Sequence, residues 1–164
     1  MKPSVRHDKT AKVAMDPSWK TILEQATVEV FEMMAGARLE AAAISDSAAG
    51  GEHTAMVGLA GALCGMVTLR CTRQVAHRLA SMMLGGEAAE NSFTAKDALG
   101  ELCNMVAGNF KAKISTLADR CMLSVPTVIT GSDYEMDTVE PTSGISTRFT
   151  FEGDPVIVAL MIHA

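Results

Sequence analysis

Aromatic residues are scarce in this chain. One Trp, one Tyr and five Phe make up 4% of 164 residues, although apolar residues reach 48%. One domain's length of chain must therefore build its core from Ala, Val, Leu, Ile and Met. The twelve Met read as flexible core filler rather than as a metal or peptide groove. Basic clusters are missing too, and the net charge is −5, which argues against nucleic acid or an anionic membrane surface as partner. No run approaches the roughly 18 continuous apolar residues of a membrane span. The opening MKPSVRHDKTAKVAM is polar and lacks the apolar stretch of a signal peptide. The expectation is a cytoplasmic protein with a flexible extension over residues 1–15 and a single domain over 16–164.

Metal-binding and nucleophile patterns are equally thin. Cys64, Cys71, Cys103 and Cys121 form no CxxC and no zinc-like spacing, and they read as free, buried thiols in a reducing compartment. His7, His53, His77 and His163 stand isolated along the chain. No Ser-His-Asp or Cys-His grouping is visible. Spacing thus predicts no metal site and no covalent catalyst.

Asp16 and Pro17 read as an N-cap and first-turn proline for a helix PSWKTILEQATVEVFEMMAG. Its inward residues are Leu23, Thr27, Val30, Phe31 and Met34, and Gly36 ends it. Three strands follow, ARLEAAAIS, TAMVGLAG and ALCGMVTLRC, the last two as a hairpin. TRQVAHRLASMMLG is a short amphipathic helix. A longer helix over 97–114 comes next, then the strands CMLSVPTVITG, GISTRFTFEG and DPVIVALMIHA. The turn-rich, acidic GSDYEMDTVEPTSG at 131–144 is expected to be an exposed loop.

Written out, the order repeats α-β-β-β. EVFEMMAG at 29–36 aligns with ELCNMVAG at 101–108. Glu29 matches Glu101, Met33 matches Met105, and Glu32 stands where the second copy has Asn104. The fold class expected is α+β, a two-layer sandwich. In it, long helices related by a pseudo-two-fold lie on a mainly antiparallel six-stranded sheet.

The helix DALGELCNMVAGNFKAKI carries an unusual polar line. At about 100° per residue, Leu99, Leu102, Cys103, Val106, Phe110 and Ile114 gather on one side. Asp97, Glu101, Asn104, Gly108 and Lys111 gather on the other. Asn and Gly weaken a helix interior, so solubility alone does not account for them. Thr94 and Asp97 form a T-x-x-D capping box that makes Asp97 chiefly a cap residue, and Lys111 reads as a solvated charge. Glu101 lies too deep to serve the helix start, and its i+4 neighbour Met105 offers no ion pair. Asn104 has no capping role. Glu101 and Asn104, three apart, enter one small space from one helix face. Gly100 and Gly108 bracket the pair, serving either close packing inside the domain or close approach of a partner.

These residues resemble a known family. E-L-C-N-M-V-A-G-N, preceded by Asp97 and followed by Pro126 in LSVPTVITG, is similar to the CheX branch of the CheC/CheX/FliY phosphatases. That family carries an acidic residue or Ser, then E-x-x-N on a helix, then a Pro some distance on. The likeness covers nearly all the chain from about residue 16. It implies a phosphatase for the aspartyl phosphate of a CheY-type response-regulator receiver domain, in chemotaxis or another two-component system. By the resemblance Asn104 orients the attacking water and Glu101 docks to the receiver's lysine. Asp97 and Gly108 are accessory candidates, and Glu29 and Glu32 belong to a degenerate first copy. No cofactor is implied for the chain itself, since Mg2+ is expected on the receiver. A homodimer formed by strand pairing is also implied. The alternative is a non-catalytic module that binds a receiver or a flagellar-switch partner through the same helix.

Overall fold

The computed structural model describes residues 15–43, 51–85, 92–132, 134 and 142–163. The expected extension therefore lies outside the described residues, except for Met15, which is half-buried against the core. Helix α1 (Trp19–Ala35) forms because its apolar residues return every three or four positions. Trp19, Leu23, Ala26, Val30 and Phe31 are all buried. Thr27 is buried with them, and its hydroxyl donates to the Leu23 carbonyl at 2.7 Å, so no polar atom is stranded there. Gly36 ends the helix in a left-handed conformation at φ 60°. The Gly36 N–H reaches the Glu32 carbonyl at 2.9 Å and the Ala37 N–H reaches that of Phe31 at 3.1 Å, closing a Schellman end.

The start of α1 differs from expectation. The helix begins at Trp19 behind Ser18, so Asp16 is not its N-cap. The Asp16 carboxylate instead accepts the Ser18 N–H at 2.8 Å, in a turn ahead of the helix. That hydrogen bond holds its carboxyl below the ordinary carboxylate value.

Helix α2 (Arg73–Leu84) is capped by the Thr72 hydroxyl, which accepts the Val75 N–H at 3.2 Å. Helix α3 (Ser92–Ala112) starts five residues before Asp97. Thr94 and Asp97 therefore lie inside the helix and do not cap it. The apolar period simply runs further upstream, through buried Ala98 and Ala95.

The strands are β1 (Glu40–Ala41), β2 (His53–Gly61), β3 (Gly65–Cys71), β4 (Cys121–Leu123), β5 (Thr127–Thr130), β6 (Thr142–Phe151) and β7 (Asp154–His163). They form one antiparallel sheet in the order β1-β6-β7-β3-β2-β4, with β5 also paired to β2. This is the α+β fold the sequence implies. With β4 and β5 taken as one interrupted strand, the order reads the same from either edge once the two repeats are exchanged. The pseudo-two-fold passes between β3 and β7. Along β7, buried Val156, Val158, Leu160 and Ile162 alternate with half-exposed positions, as in a sheet covered on one face.

Among the described residues seven strands appear where six were expected, because CMLSVPTVITG breaks in the middle. Leu59 pairs with Leu123 and Met56 with Thr127, so residues 124–126 stand opposite only 57 and 58. The extra residue makes a bulge. Pro126 has no N–H to give to the ladder. Ser124 compensates: its N–H donates to the Gly58 carbonyl at 2.9 Å and its hydroxyl accepts the Gly58 N–H at 2.8 Å.

Three smaller expectations are corrected. The first strand is only Glu40–Ala41 within the described residues, short of the nine-residue ARLEAAAIS, whose end lies outside them. In the segment 131–144, Tyr134 is partly buried rather than loose. Its hydroxyl bonds to that of Thr54, and the Arg70 guanidinium sits over its ring at 5.4 Å. The segment's last residues already belong to β6. Among the thiols, Cys71, Cys103 and Cys121 are free and buried, but Cys64 is exposed because it lies in the turn between β2 and β3.

His53 is the one side chain among the described residues whose buried polar atoms, Nδ1 and Nε2, have no hydrogen-bond partner. It is 3% exposed. Burial pushes its pKa below the ordinary value, with the Arg73 and His77 charges adding and Glu52 opposing. A lowered pKa means the folded state prefers neutral imidazole. Stability from this residue is therefore full above the unfolded pKa of about 6.5 and is lost as pH falls below it toward the folded value. His53→Leu, which removes two stranded nitrogens, is expected to match or exceed the native protein at pH 7.5. The variant should also lose less stability between pH 7.5 and 5. Urea midpoints at both pH values check this, and an unchanged pH slope would show that His53 does not carry it.

Candidate functional site

Helix α3 is held by its apolar side. Leu99, Leu102, Cys103, Val106 and Phe110 are each no more than 1% exposed. Trp19 from α1 meets the Phe110 ring edge-on at 6.1 Å. Cys103 lies between β2 and β3, its Sγ 3.6 Å from the carbonyl oxygens of Ala55 and Val67. Burial pushes its thiol up to about 12, and that of Cys71 likewise. Both are inert core groups, not nucleophiles.

With that side fixed, the opposite line is turned outward. Asp97 and Glu101 are exposed, while Asn104, Gly108 and Lys111 are half-buried. Neither Glu101 nor Asn104 has a side-chain partner among the described residues. Asn104 is half-buried because it lines a cleft of about 530 Å3 between α1 and α3. Met33, Gly108 and Leu123 contribute to its walls. Lys111 is no loose charge: its Nζ donates to the Ala118 carbonyl at 2.7 Å and ties down the turn after the helix.

The two glycines have different duties. A Cβ on Gly100 would stand 3.5 Å from Pro126 Cβ and from Val128 Cγ2. Gly100 thus packs inside the domain, and it brings the β4–β5 bulge beside α3 next to Glu101. A Cβ on Gly108 would meet only Leu123 Cδ1, at 3.8 Å, so its bare backbone deepens the cleft.

The first copy is arranged otherwise. Glu32 is exposed. Glu29, the counterpart of Glu101, accepts from Asn109 Nδ2 at 2.9 Å and pairs with Lys113 Nζ at 2.8 Å. These two donors, Lys113 first, hold its carboxyl below the ordinary value. Sequence reasoning missed Asn109 and Lys113. The available signal was their i, i+4 spacing, which lets two donors reach one carboxylate. Gly36 and Gly108, aligned in the repeat, also differ: Gly36 ends α1, whereas α3 continues to Ala112.

Among the described residues, no three His, Cys, Asp or Glu side chains are grouped to hold a metal ion. No helix there is long and apolar enough to cross a membrane. What the arrangement offers is an amide and a carboxylate on a rigid helix, both open to a partner surface. It can orient groups supplied from outside.

The pseudo-symmetric α+β sheet is the fold of CheX- and CheC-like chemotaxis proteins. Residues 53–150 match the family model described as chemotaxis phosphatase CheX, and the chain belongs to that family. It is 30% identical over 82 residues to the CheY-P phosphatase CheX of Thermotoga maritima, a match spanning 49% of this chain and 53% of that one. The chain thus spans about half the length of that curated relative. The chemotaxis protein CheX of Desulfovibrio desulfuricans superposes with a TM-score of 0.77 at 25% identity, over 89% of this chain and 99% of that one. CheX from the CheX-CheY-BeF3-Mg2+ complex of Borrelia burgdorferi gives 0.73 at 19% identity, over 89% and 98%.

Side chains at the surface that make no hydrogen bond or ion pair contribute little to folding, whether exposed like Glu101 or half-buried like Asn104. Glu101→Ala and Asn104→Ala are each expected to change unfolding free energy by no more than about 0.5 kcal/mol. Leu102→Ala, one residue from Glu101 but in the core, should lose about 2–5 kcal/mol. Urea denaturation of the three variants measures this. A large loss for Asn104→Ala would assign that residue to packing.

Proposed function

We propose that the protein hydrolyses the aspartyl phosphate of a CheY-type receiver domain, Asn104 orienting the attacking water and Glu101 docking to the receiver's lysine. The observation that carries the proposal is the state of these two side chains. In a chain of the CheX family, they stand on the outward line of α3 with no partner among the described residues. Residues 16–164 act as one phosphatase domain in this reading, and the reaction belongs in the cytoplasm. Mg2+ comes with the receiver. The Borrelia complex, which holds CheX with CheY, BeF3 and Mg2+, supports that division of labour.

The chemistry suits the residue types. An acyl phosphate is already reactive, and its loose transition state asks mainly for positioning and charge stabilisation. A carboxamide can hold a water through one acceptor and two donors while staying neutral beside the phosphate. A carboxylate there would set negative charge against negative charge. Glu32 would do so in α1, so the first copy, Glu29 and Glu32, is degenerate and α3 is the working helix. Asp97, one turn ahead of Glu101, and Gly108, at the cleft, are accessory.

A homodimer completes the proposal. Thr150 and Phe149 of β6 pair with β1, and the Ala42 N–H reaches the Arg148 carbonyl at 3.0 Å, so among the described residues only the outer edge of β6 before Arg148 has no neighbouring strand. Such an edge favours pairing with a second copy.

Phosphate release from phosphorylated receivers of the same organism tests the reading. The native protein should accelerate release from at least one of them. Asn104→Ala is expected to lower kcat about 100-fold, the scale seen when one positioned hydrogen-bonding group is removed. Glu101→Ala should chiefly raise KM, by about tenfold, as a charge-assisted contact is lost. Full turnover by Asn104→Ala would overturn the mechanism. Receiver binding by the native protein without acceleration would favour the non-catalytic module.

A further inference from the structure

We infer that Glu29, the α1 counterpart of Glu101, is a positioning residue that sets the α1–α3 spacing beside Asn104. The inference rests on the phosphatase reading above and adds a residue from the other helix to it. Glu29 and Asn104 line the same cleft. Val30, Met105 and Leu123 pack along its walls, but its mouth is left open: Met33 on the α1 side is 67% exposed, and Gly108 on the α3 side has no side chain. Among the described residues, a direct polar tie between the helices at this cleft is the Glu29 carboxylate. It is gripped at 2.9 Å by Asn109 Nδ2 and at 2.8 Å by Lys113 Nζ. Asn109 lies on the last turn of α3 and Lys113 just past its end, so the grip acts on the helix that carries Asn104.

The same grip has an electrostatic effect. An unpaired Glu29 would put a negative charge into the cleft that Asn104 shares, facing a phosphorylated, Mg2+-bearing partner. Lys113 offsets that charge where it arises. The pair is too exposed, with side chains 29% and 52% accessible, to be explained by a contribution to folding. Its value is geometric. The carboxylate that α3 leaves open to a partner is, in α1, engaged by the opposite helix.

The experiment compares Glu29→Ala, Lys113→Met and the charge-exchanged pair Glu29→Lys with Lys113→Glu. The probe is the phosphorylated receiver on which the native protein is most active, with Asn104→Ala as reference. Both single variants should keep the native melting temperature and KM. Their kcat should fall about tenfold, short of the hundredfold that a 1 Å misplacement can cost. The exchanged pair should recover most of kcat, since Asn109 can turn its amide oxygen toward the introduced ammonium. Native kcat in Glu29→Ala, with Asn104→Ala inactive, would overturn the positioning role and leave the site intact. A change in KM alone would overturn it too, by making Glu29 a direct receiver contact. If Asn104→Ala keeps full turnover, the underlying phosphatase reading falls and this inference falls with it.

Discussion

Burial of one side of α3 is the constraint from which the site follows. Leu99, Leu102, Cys103, Val106 and Phe110 are removed from water against β2, β3 and α1. Each large apolar side chain buried in this way contributes about 1.5–3 kcal/mol. A helix anchored by five such residues cannot rotate about its axis without exposing some of them. The polar line on its other side therefore keeps a fixed direction. Asn104 needs no hydrogen bond of its own to be held in place, because its backbone is oriented by the core beneath it. The amide and carboxylate stay available to a partner for the same reason.

The surroundings of α3 refine that orientation from three sides. From the sheet edge, the bulge at Ser124–Pro126 places Pro126 against Gly100. From the helix end, Lys111 secures the following turn through the Ala118 carbonyl. From α1 comes the Glu29 carboxylate. Buried thiols at Cys71 and Cys103, both pushed up to about 12, add no reactivity. The groups left open on the outward line of α3, Asp97, Glu101 and Asn104, are neutral or anionic hydrogen-bonding side chains.

Much of this was legible in the amino-acid order where periodicity was strong. The apolar stripe of α3, the Gly36 stop and the α-β-β-β repeat were readable because burial repeats at 3.6 or 2 residues and glycine alone ends α1 comfortably. Boundaries were less so. The capping box at Thr94 misled because T-x-x-D is a local pattern, while the helix start was decided by the longer reach of Ala95 and Ala98 into the core. The strand CMLSVPTVITG looked continuous because a bulge needs only one extra residue, visible once the register against β2 is known. For the site, Glu101 and Asn104 stood out as residues a solvated helix would not choose. The grip of Asn109 and Lys113 on Glu29 joins positions 80 and more residues apart, and the i, i+4 spacing of the two donors does not say which distant carboxylate they meet.

The strand order has a consequence for how the chain can be made. β3, from the first repeat, finds its inner neighbour in β7, the C-terminal strand, and β1 lies beside β6. Each repeat also lends its first strand to the far edge of the sheet, beside the other repeat's strands. Neither half can close its own sheet, so a nascent chain emerging from the ribosome must hold α1 to β3 unfinished until β7 has been synthesised. Contacts of such long sequence separation slow folding. The symmetry left by the repeat is therefore one of shape only: the two halves are interlocked during synthesis and cannot be separated as working modules.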